Sequence, residues 1–181
     1  MKRTNSNDGD ESCREPRRKT PRTYGTLEIL AAGIAMNAIA LLLGPTAAAK
    51  NEYAKSTQPP FAPPSWVFGV AWPINNLLTL WANHRVLNAA ASPDRSAYIR
   101  LEAATWALFM SYGLLRFRLK SPLLGYADTA LYLALSIASA SRAARIDRWL
   151  LIAYSTLIPW LLFATTLSVY QLNDPDPLLD R

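Results

Sequence analysis

The sequence predicts an all-α integral membrane protein, folded as a bundle of five transmembrane helices. Hydrophobic residues make up 51% of the 181 residues and charged residues only 18%, which is apolar for a soluble domain. The charges are also unevenly placed, because the windows 29–49, 56–84 and 149–173 contain no Asp, Glu, Lys or Arg. Each window is at least as long as the ~20 residues that a bilayer-spanning helix needs.

The five predicted spans differ in strength. Three are free of charged residues over most of their length. One of the other two contains Arg100, Glu102 and Arg116 near its ends, and the other contains Asp128. Long charged side chains near a helix end can extend to the interface, so these residues are compatible with a span. The alternative for the two weaker segments is a pair of amphipathic helices on the membrane surface. The strong predicted spans are 27–45, 66–87 and 149–172, and the weaker ones are 97–117 and 122–141.

Polar tails flank the predicted transmembrane domain, residues 26–173. Residues 1–25 hold eleven charged side chains and no apolar run, which favours a disordered tail, and residues 174–181 form a short polar tail. Five spans would place 13 of the 19 Lys and Arg residues on the N-terminal side. The positive-inside rule then predicts a cytoplasmic N-terminus and a location in the cytoplasmic (inner) membrane. A solvated tail that fixes topology is favoured over binding of lipid headgroups or nucleic acid.

The composition excludes several kinds of site. Cys13 and His84 are the single cysteine and the single histidine, which excludes an intrachain disulfide, a cysteine-based zinc site and an iron–sulfur cluster. His84 lies at the predicted end of the second helix, where an interfacial side chain is favoured over a haem ligand. The sequence therefore predicts no metal, no obligatory cofactor and no catalytic residues.

A proline-rich segment leads into the second predicted span. Four prolines in six residues hold the chain extended, because proline fixes φ and lacks an N–H donor. They are Pro59, Pro60, Pro63 and Pro64. The helix then begins with Trp66, and an indole ring at a helix end suits the headgroup layer.

Two motifs resemble those of the TspO/MBR family, the tryptophan-rich sensory proteins and translocator proteins. Residues 59–72, PPFAPPSWVFGVAW, resemble the second-helix signature of that family, and residues 160–168, WLLFATTLS, resemble its fifth-helix pattern Trp-x-x-Phe-Ala-x-x-Leu-Asn. The resemblance covers roughly residues 27–173. It implies a five-helix membrane bundle that binds porphyrins and other apolar ligands. The chain departs from the pattern at Ser168 and in the third helix, where the usual Leu-Asn-x-x-Trp-Ser run is largely lost.

The resemblance implies a ligand pocket among the helices, and the aromatic residues of this chain can build one. A tryptophan can stack on a planar macrocycle, and an alanine one helical turn beyond it leaves room above the ring. The predicted ligand-binding residues are Trp66, Phe68, Trp72, Asn76, Tyr112, Asp128, Trp160 and Ala164. The remaining tryptophans, Trp81, Trp106 and Trp149, are expected to contact lipid or the interface.

The polar candidates have structural alternatives. Asp128 can contact a ligand, bond to Tyr112 or an asparagine, or be hydrated near the interface. Asn75 and Asn76 can satisfy carbonyls that Pro73 frees, which is favoured over donation to a ligand carboxylate.

These observations predict a membrane-embedded protein that binds and senses tetrapyrroles, such as porphyrin or haem, or similar apolar ligands. The alternatives are a transporter of the same ligands and a light-dependent enzyme that degrades porphyrin through a tryptophan; we favour no enzyme. The expected partners are membrane lipid and the ligand, with no nucleic acid. Small residues in the fourth span make a homodimer reasonable. They are Ala134, Ser136, Ala138, Ser139 and Ala140.

Overall fold

A computed structural model describes residues 23–44 and 53–179 of the chain, and within these residues all regular secondary structure is helical. Residues 1–22 of the predicted tail, which was residues 1–25, lie outside the described residues. The described part contains five long helices, with a π-helical turn after the third, a 3-10 turn after the fourth and another after the fifth. The five long helices are α1 (Thr26–Leu43), α2 (Trp66–Leu87), α3 (Pro93–Gly113), α4 (Pro122–Ile146) and α5 (Leu151–Tyr170).

Capping residues and prolines determine where some of the helices begin. The bounds of α2 coincide with the predicted 66–87. Helix α3 begins at Pro93 rather than residue 97, because Ser92 accepts a bond of 3.0 Å from the Arg95 N–H and proline suits the first helical position. Helix α4 continues beyond residue 141 to Ile146.

Among the described helices, three have the length and apolar composition to cross a membrane. They are Thr26–Leu43, Pro122–Ile146 and the segment Arg148–Asn173 that contains α5. Helix α4, predicted as a weak span, is among them, whereas α2, predicted as a strong one, is not. The polar side chains of α2, which include Asn75, Asn76 and Arg85, lower its mean hydropathy.

The core lies where α3, α4 and α5 pack together and the inner face of α2 covers them. Its buried side chains include Tyr98, Tyr132, Leu157 and Leu161. Helix α1 packs on α2 and α3 but leaves most of its leucines and isoleucines exposed. An exposed apolar face is the expected surface for a helix whose solvent is lipid.

Of the five small residues of α4 named for the homodimer prediction, Ala134 is exposed and Ala138 is half-buried, whereas the other three are buried. Ser136 and Ser139 are fully buried within the chain, and Ala140 is 7% exposed. These three side chains pack inside the bundle, so they are not available for contact with a second copy.

Helices α1 and α3 end against each other at a contact between two glycines. A Cβ atom on Gly113 would lie 2.7 Å from the Cα atom of Gly44. Since the neighbour is backbone, it cannot move aside as a flexible side chain could.

We expect Gly113→Ala to lower the free energy of unfolding by about 1–3 kcal/mol, the usual cost of forcing a carbon atom into a packed site. Unfolding in detergent, followed by circular dichroism, measures the change. Gly69→Ala is the matched control, because a Cβ there meets nothing within 4 Å and alanine is the better helix former. Equal destabilisation by both substitutions would contradict the close-contact explanation.

The segment after α5 folds back on the start of α4 through Asp176. Its Oδ2 atom accepts bonds from the Ser121 hydroxyl at 2.7 Å and from the Leu123 N–H at 3.1 Å, and its Oδ1 atom accepts from the Leu178 N–H at 2.9 Å. Ser121 caps α4 by accepting a bond of 3.1 Å from the Leu124 N–H. The C-terminal segment is therefore attached to the helix bundle.

We expect Asp176 to make stability depend on pH in the acid range. Burial raises the pKa of Asp176, but the hydrogen bonds from Ser121, Leu178 and Leu123 outweigh burial and hold this pKa below its ordinary value. A lowered folded-state pKa stabilises above the unfolded value of about 3.9, and the stabilisation is lost as the pH falls through the folded-state pKa.

Melting temperatures of the wild type and Asp176→Asn, measured in detergent between about pH 3 and pH 7, test this expectation. The variant should melt lower near neutral pH, and the two curves should converge below about pH 4. Curves that stay parallel throughout would show that the charge of Asp176 does not contribute.

Candidate functional site

An aromatic cluster lies where α2 meets α5 and α4. We define it as Phe68, Trp72, Tyr132, Trp160 and Phe163. Trp160 stands at its centre, with its ring centroid 5.3 Å from that of Phe68, 6.1 Å from that of Trp72 and 5.5 Å from that of Phe163. Trp72 also stacks on Tyr132 at 6.2 Å with an interplanar angle of 14°. Spacings of four residues on α2 and three on α5 place these rings on common helix faces.

Trp160 also borders a cleft between α2 and α5. The cleft has a volume of about 400 Å³, within the range of ligand sites. The cleft opens at the side of the bundle, as the 50% exposure of Ile74 on its rim shows. Its lining is almost wholly apolar. The lining residues are Ala71, Ile74, Asn75, Thr156, Pro159, Trp160 and Phe163.

Two buried polar atoms of the cleft lining have no hydrogen-bond partner among the described residues. They are the indole Nε1 of Trp160 and the amide Oδ1 of Asn75. The amide nitrogen of Asn75 donates to the Ala71 carbonyl at 3.0 Å, which leaves only its oxygen free. A buried donor or acceptor left unpaired costs about 1–3 kcal/mol. A ligand with a complementary acceptor and donor would therefore recover this energy.

The proline-rich segment packs over one end of the aromatic cluster. Phe61 contacts Phe163 at 6.3 Å between ring centroids, and Tyr53 contacts Phe68 at 5.2 Å. The Tyr53 hydroxyl donates to the Pro63 carbonyl at 2.8 Å. Pro59 is buried, Pro63 is half-buried, and the remaining two prolines, Pro60 and Pro64, are exposed. These prolines shape a cover for the cluster, and none of them lines the cleft.

A buried arginine ties this cover to the C-terminal segment. We call Ser56, Thr57, Arg116, Gln171 and Asp174 the Arg116 latch. Arg116 donates to the Ser56 hydroxyl at 2.7 Å and lies 3.6 Å from the Asp174 carboxylate. Asp174 in turn accepts from the N–H and the hydroxyl of Thr57 at 2.8 and 2.6 Å. Arg116 was expected to extend to the interface, but it is only 5% exposed, because the latch supplies its polar partners.

Of the four predicted Trp and Phe residues, the structure brings three together and separates the fourth. Phe68, Trp72 and Trp160 form the centre of the cluster. Trp66 lies outside it and is 68% exposed, so its assignment to the pocket is corrected to the interfacial alternative. Ala164 is buried, and the cleft wall beyond Trp160 is formed by Phe163 instead.

The predicted polar residues lie deeper in the bundle, away from the cleft. Asn76 donates to the Asn37 side chain of α1 at 2.9 Å, which satisfies neither a carbonyl freed by Pro73 nor a ligand. Tyr112 packs against the Phe117 ring at 5.8 Å between centroids. Asp128 is 4% exposed.

The partner of Asp128 differs from those that we considered. Its Oδ1 atom accepts a bond of 3.0 Å from Ser111 rather than from Tyr112. Its Oδ2 atom is buried without a partner among the described residues. The hydrated alternative for Asp128 is therefore wrong, and a polar ligand group remains a candidate partner.

Sequence reasoning missed Phe163 and the burial of Trp106, and it favoured a structural role for Asn75 over a place in the site. Asn75 follows Phe68 by seven residues and so shares its helix face, a signal that its proximity to Pro73 obscured. Trp106 was expected to contact lipid but is 6% exposed. Its indole N–H donates to Asn83 at 3.0 Å, in the amide orientation that satisfies both polar atoms of Asn83.

The described helices, with apolar outer faces and polar groups turned inward, define a helical integral membrane protein. The model of the TspO/MBR family matches residues 29–172, which include both the proline-rich motif and the α5 motif. The chain belongs to the TspO/MBR family, as the two motifs predicted. A comparison with curated proteins finds no match.

Proposed function

We propose that this protein binds tetrapyrroles, such as porphyrin or haem, or apolar ligands of similar flat shape, and senses them without converting them. Membership of the TspO/MBR family supports a membrane protein with a sensory, binding or transport role. The position of Trp160 is the observation that supports a tetrapyrrole or a similar flat ligand. Its ring lies between the aromatic cluster and the cleft, with a free N–H.

The shape of the cleft suits one edge of a planar macrocycle. An apolar lining of about 400 Å³ can hold part of a large ring, and the open side leaves room for the rest. Trp160 would stack on or abut the ring and donate its N–H to an acceptor at the ligand edge. The Asn75 oxygen would accept from a ligand N–H or O–H group.

We further propose that all five long helices cross the membrane, with the N-terminus in the cytoplasm. Helices α2 and α3 contain the polar residues Asn75, Asn76 and Glu102, and these face inward, since each is at most 5% exposed. Polar side chains inside a span are expected to face the bundle interior. The count of basic residues by side supports the orientation.

A titration of the purified full chain with protoporphyrin tests the binding proposal. We expect saturable quenching of tryptophan fluorescence and a shifted Soret band whose intensity is unchanged under light. No saturable binding would overturn the proposal. Loss of the Soret band in light would show the degrading enzyme instead, and ligand flux into sealed vesicles would show the transporter.

A further inference from the structure

A second cavity lies between α1, α2 and α3, with a volume of about 170 Å³. Ile29, Met36 and Leu80 form apolar walls, and a cluster of polar side chains borders one end. One of its polar lining residues, Asn83, lies eight positions beyond Asn75, which lines the α2–α5 cleft, and this is about 12 Å along the helix axis. The cavity is therefore separate from the α2–α5 cleft.

Glu102 is the acidic residue of this cavity and is 5% exposed. The Tyr154 hydroxyl donates to its Oε1 atom at 2.8 Å, and the Asn83 amide donates to its Oε2 atom at 3.1 Å. The hydroxyls of Tyr154 and Tyr98 lie 3.0 Å apart. A carboxylate can accept about four hydrogen bonds, so Glu102 keeps an acceptor position even with Ser139 counted as a third neighbouring donor.

No cation pairs with Glu102 among the residues that the structure describes. Three of the basic residues at this end of the bundle have other partners. Arg95 donates to the carbonyls of Val86 and Leu87 at 3.0 and 2.8 Å, and Arg142 and Arg145 pair with Asp94. The sequence suggested that Glu102 extends to the interface, and this was wrong because Tyr154 and Asn83 hold it inside. A buried acid within a span ordinarily pairs with a cation or another polar group, and the described residues offer Glu102 only neutral donors.

We propose that this cavity binds a small organic amine as its ammonium ion, with the ammonium group at Glu102 and an apolar body against Ile29, Met36 and Leu80. A buried carboxyl group without a cation partner is held as the neutral acid, so an entering neutral amine takes its proton. The O–H bond of Glu102 is broken, an N–H bond forms on the amine, and the resulting ammonium ion pairs with the carboxylate. The size fits, because a dry apolar cavity of about 150 Å³ is large enough for one benzene ring. The apolar walls favour an organic cation over a metal ion, and the described residues contain no group of three potential metal ligands.

Isothermal titration calorimetry of the full chain in detergent, with 2-phenylethylamine and its neutral analogue 2-phenylethanol, tests the proposal. We expect the amine to bind at one site per chain and the alcohol to bind about 10- to 100-fold more weakly, the value of a charged over a neutral hydrogen bond. Glu102→Gln should weaken amine binding by the same factor and change alcohol binding little. Asp94→Asn removes an acid outside the cavity and should leave amine affinity unchanged.

A second variant keeps the test decisive if Glu102→Gln does not fold. Ala32 lines the cavity on α1, so Ala32→Phe fills its apolar part without altering Glu102 and should abolish binding of the amine. Equal affinity for amine and alcohol, or unchanged binding by Ala32→Phe, would overturn the proposal. Displacement of the amine by Na⁺ but not by choline, at equal ionic strength, would also overturn it in favour of a metal-ion site. None of these outcomes depends on porphyrin binding at Trp160.

Discussion

Replacing Trp160 with alanine is expected to weaken protoporphyrin binding by about 2–3 kcal/mol, and replacing it with phenylalanine by about 1–2 kcal/mol. Phenylalanine keeps part of the stacking area but loses the N–H that has no partner among the described residues. Alanine loses both. Fluorescence and Soret titrations of the variants measure the change, and circular dichroism checks that the helices are retained.

Trp149→Phe is the matched control for this prediction. Trp149 is 59% exposed and lies under the guanidinium of Arg148, 5.6 Å from the ring centroid, at the other end of α5 from the proline cover. Its substitution should change porphyrin affinity by less than about 0.5 kcal/mol, as surface substitutions usually do. Unchanged binding by both Trp160 variants would place the tetrapyrrole site elsewhere in the protein.

Arg116→Leu is expected to lower the free energy of unfolding by about 2–4 kcal/mol. Removing one partner of a fully buried ion pair costs about 3–5 kcal/mol, and we expect less here because the Asp174 side chain is 16% exposed. The substitution also frees Ser56 and Gln171 from their bonds to Arg116. Chemical unfolding in detergent measures the loss of stability.

The same variant should loosen the proline-rich cover, because Arg116 holds its start. Limited proteolysis is expected to cut the segment 53–65 faster in Arg116→Leu than in the wild type. Arg118→Leu is the control, since Arg118 is exposed and makes one long bond of 3.3 Å to the Leu42 carbonyl. Equal effects of the two substitutions would show that the latch does not hold the cover.

Much of the fold could be predicted from where charges are absent. The bounds of α2 agreed with the predicted 66–87 because the proline-rich segment prevents the helix from beginning before Trp66. Phe68, Trp72 and Trp160 were assigned to one site through the family resemblance of their two motifs, and their rings do lie together. Trp66 belongs to the same motif, but its position at the helix end exposes it.

The deeper polar contacts could not be predicted, because a polar residue in a span is compatible with either an interfacial or a buried position. Glu102 was placed at the interface from its distance to the helix end. Its partners Asn83 and Tyr154 lie on two other helices, and local sequence carries no sign of that meeting.

The lateral opening of the α2–α5 cleft has a consequence for how a ligand is measured. A molecule dissolved in the acyl chains can reach Trp160 past Ile74 without returning to water. Occupancy then follows the concentration of the ligand in the bilayer, so the apparent affinity is multiplied by its partition coefficient. Two porphyrins with the same contacts at Trp160 would differ in apparent affinity when their carboxylates make one of them less soluble in lipid.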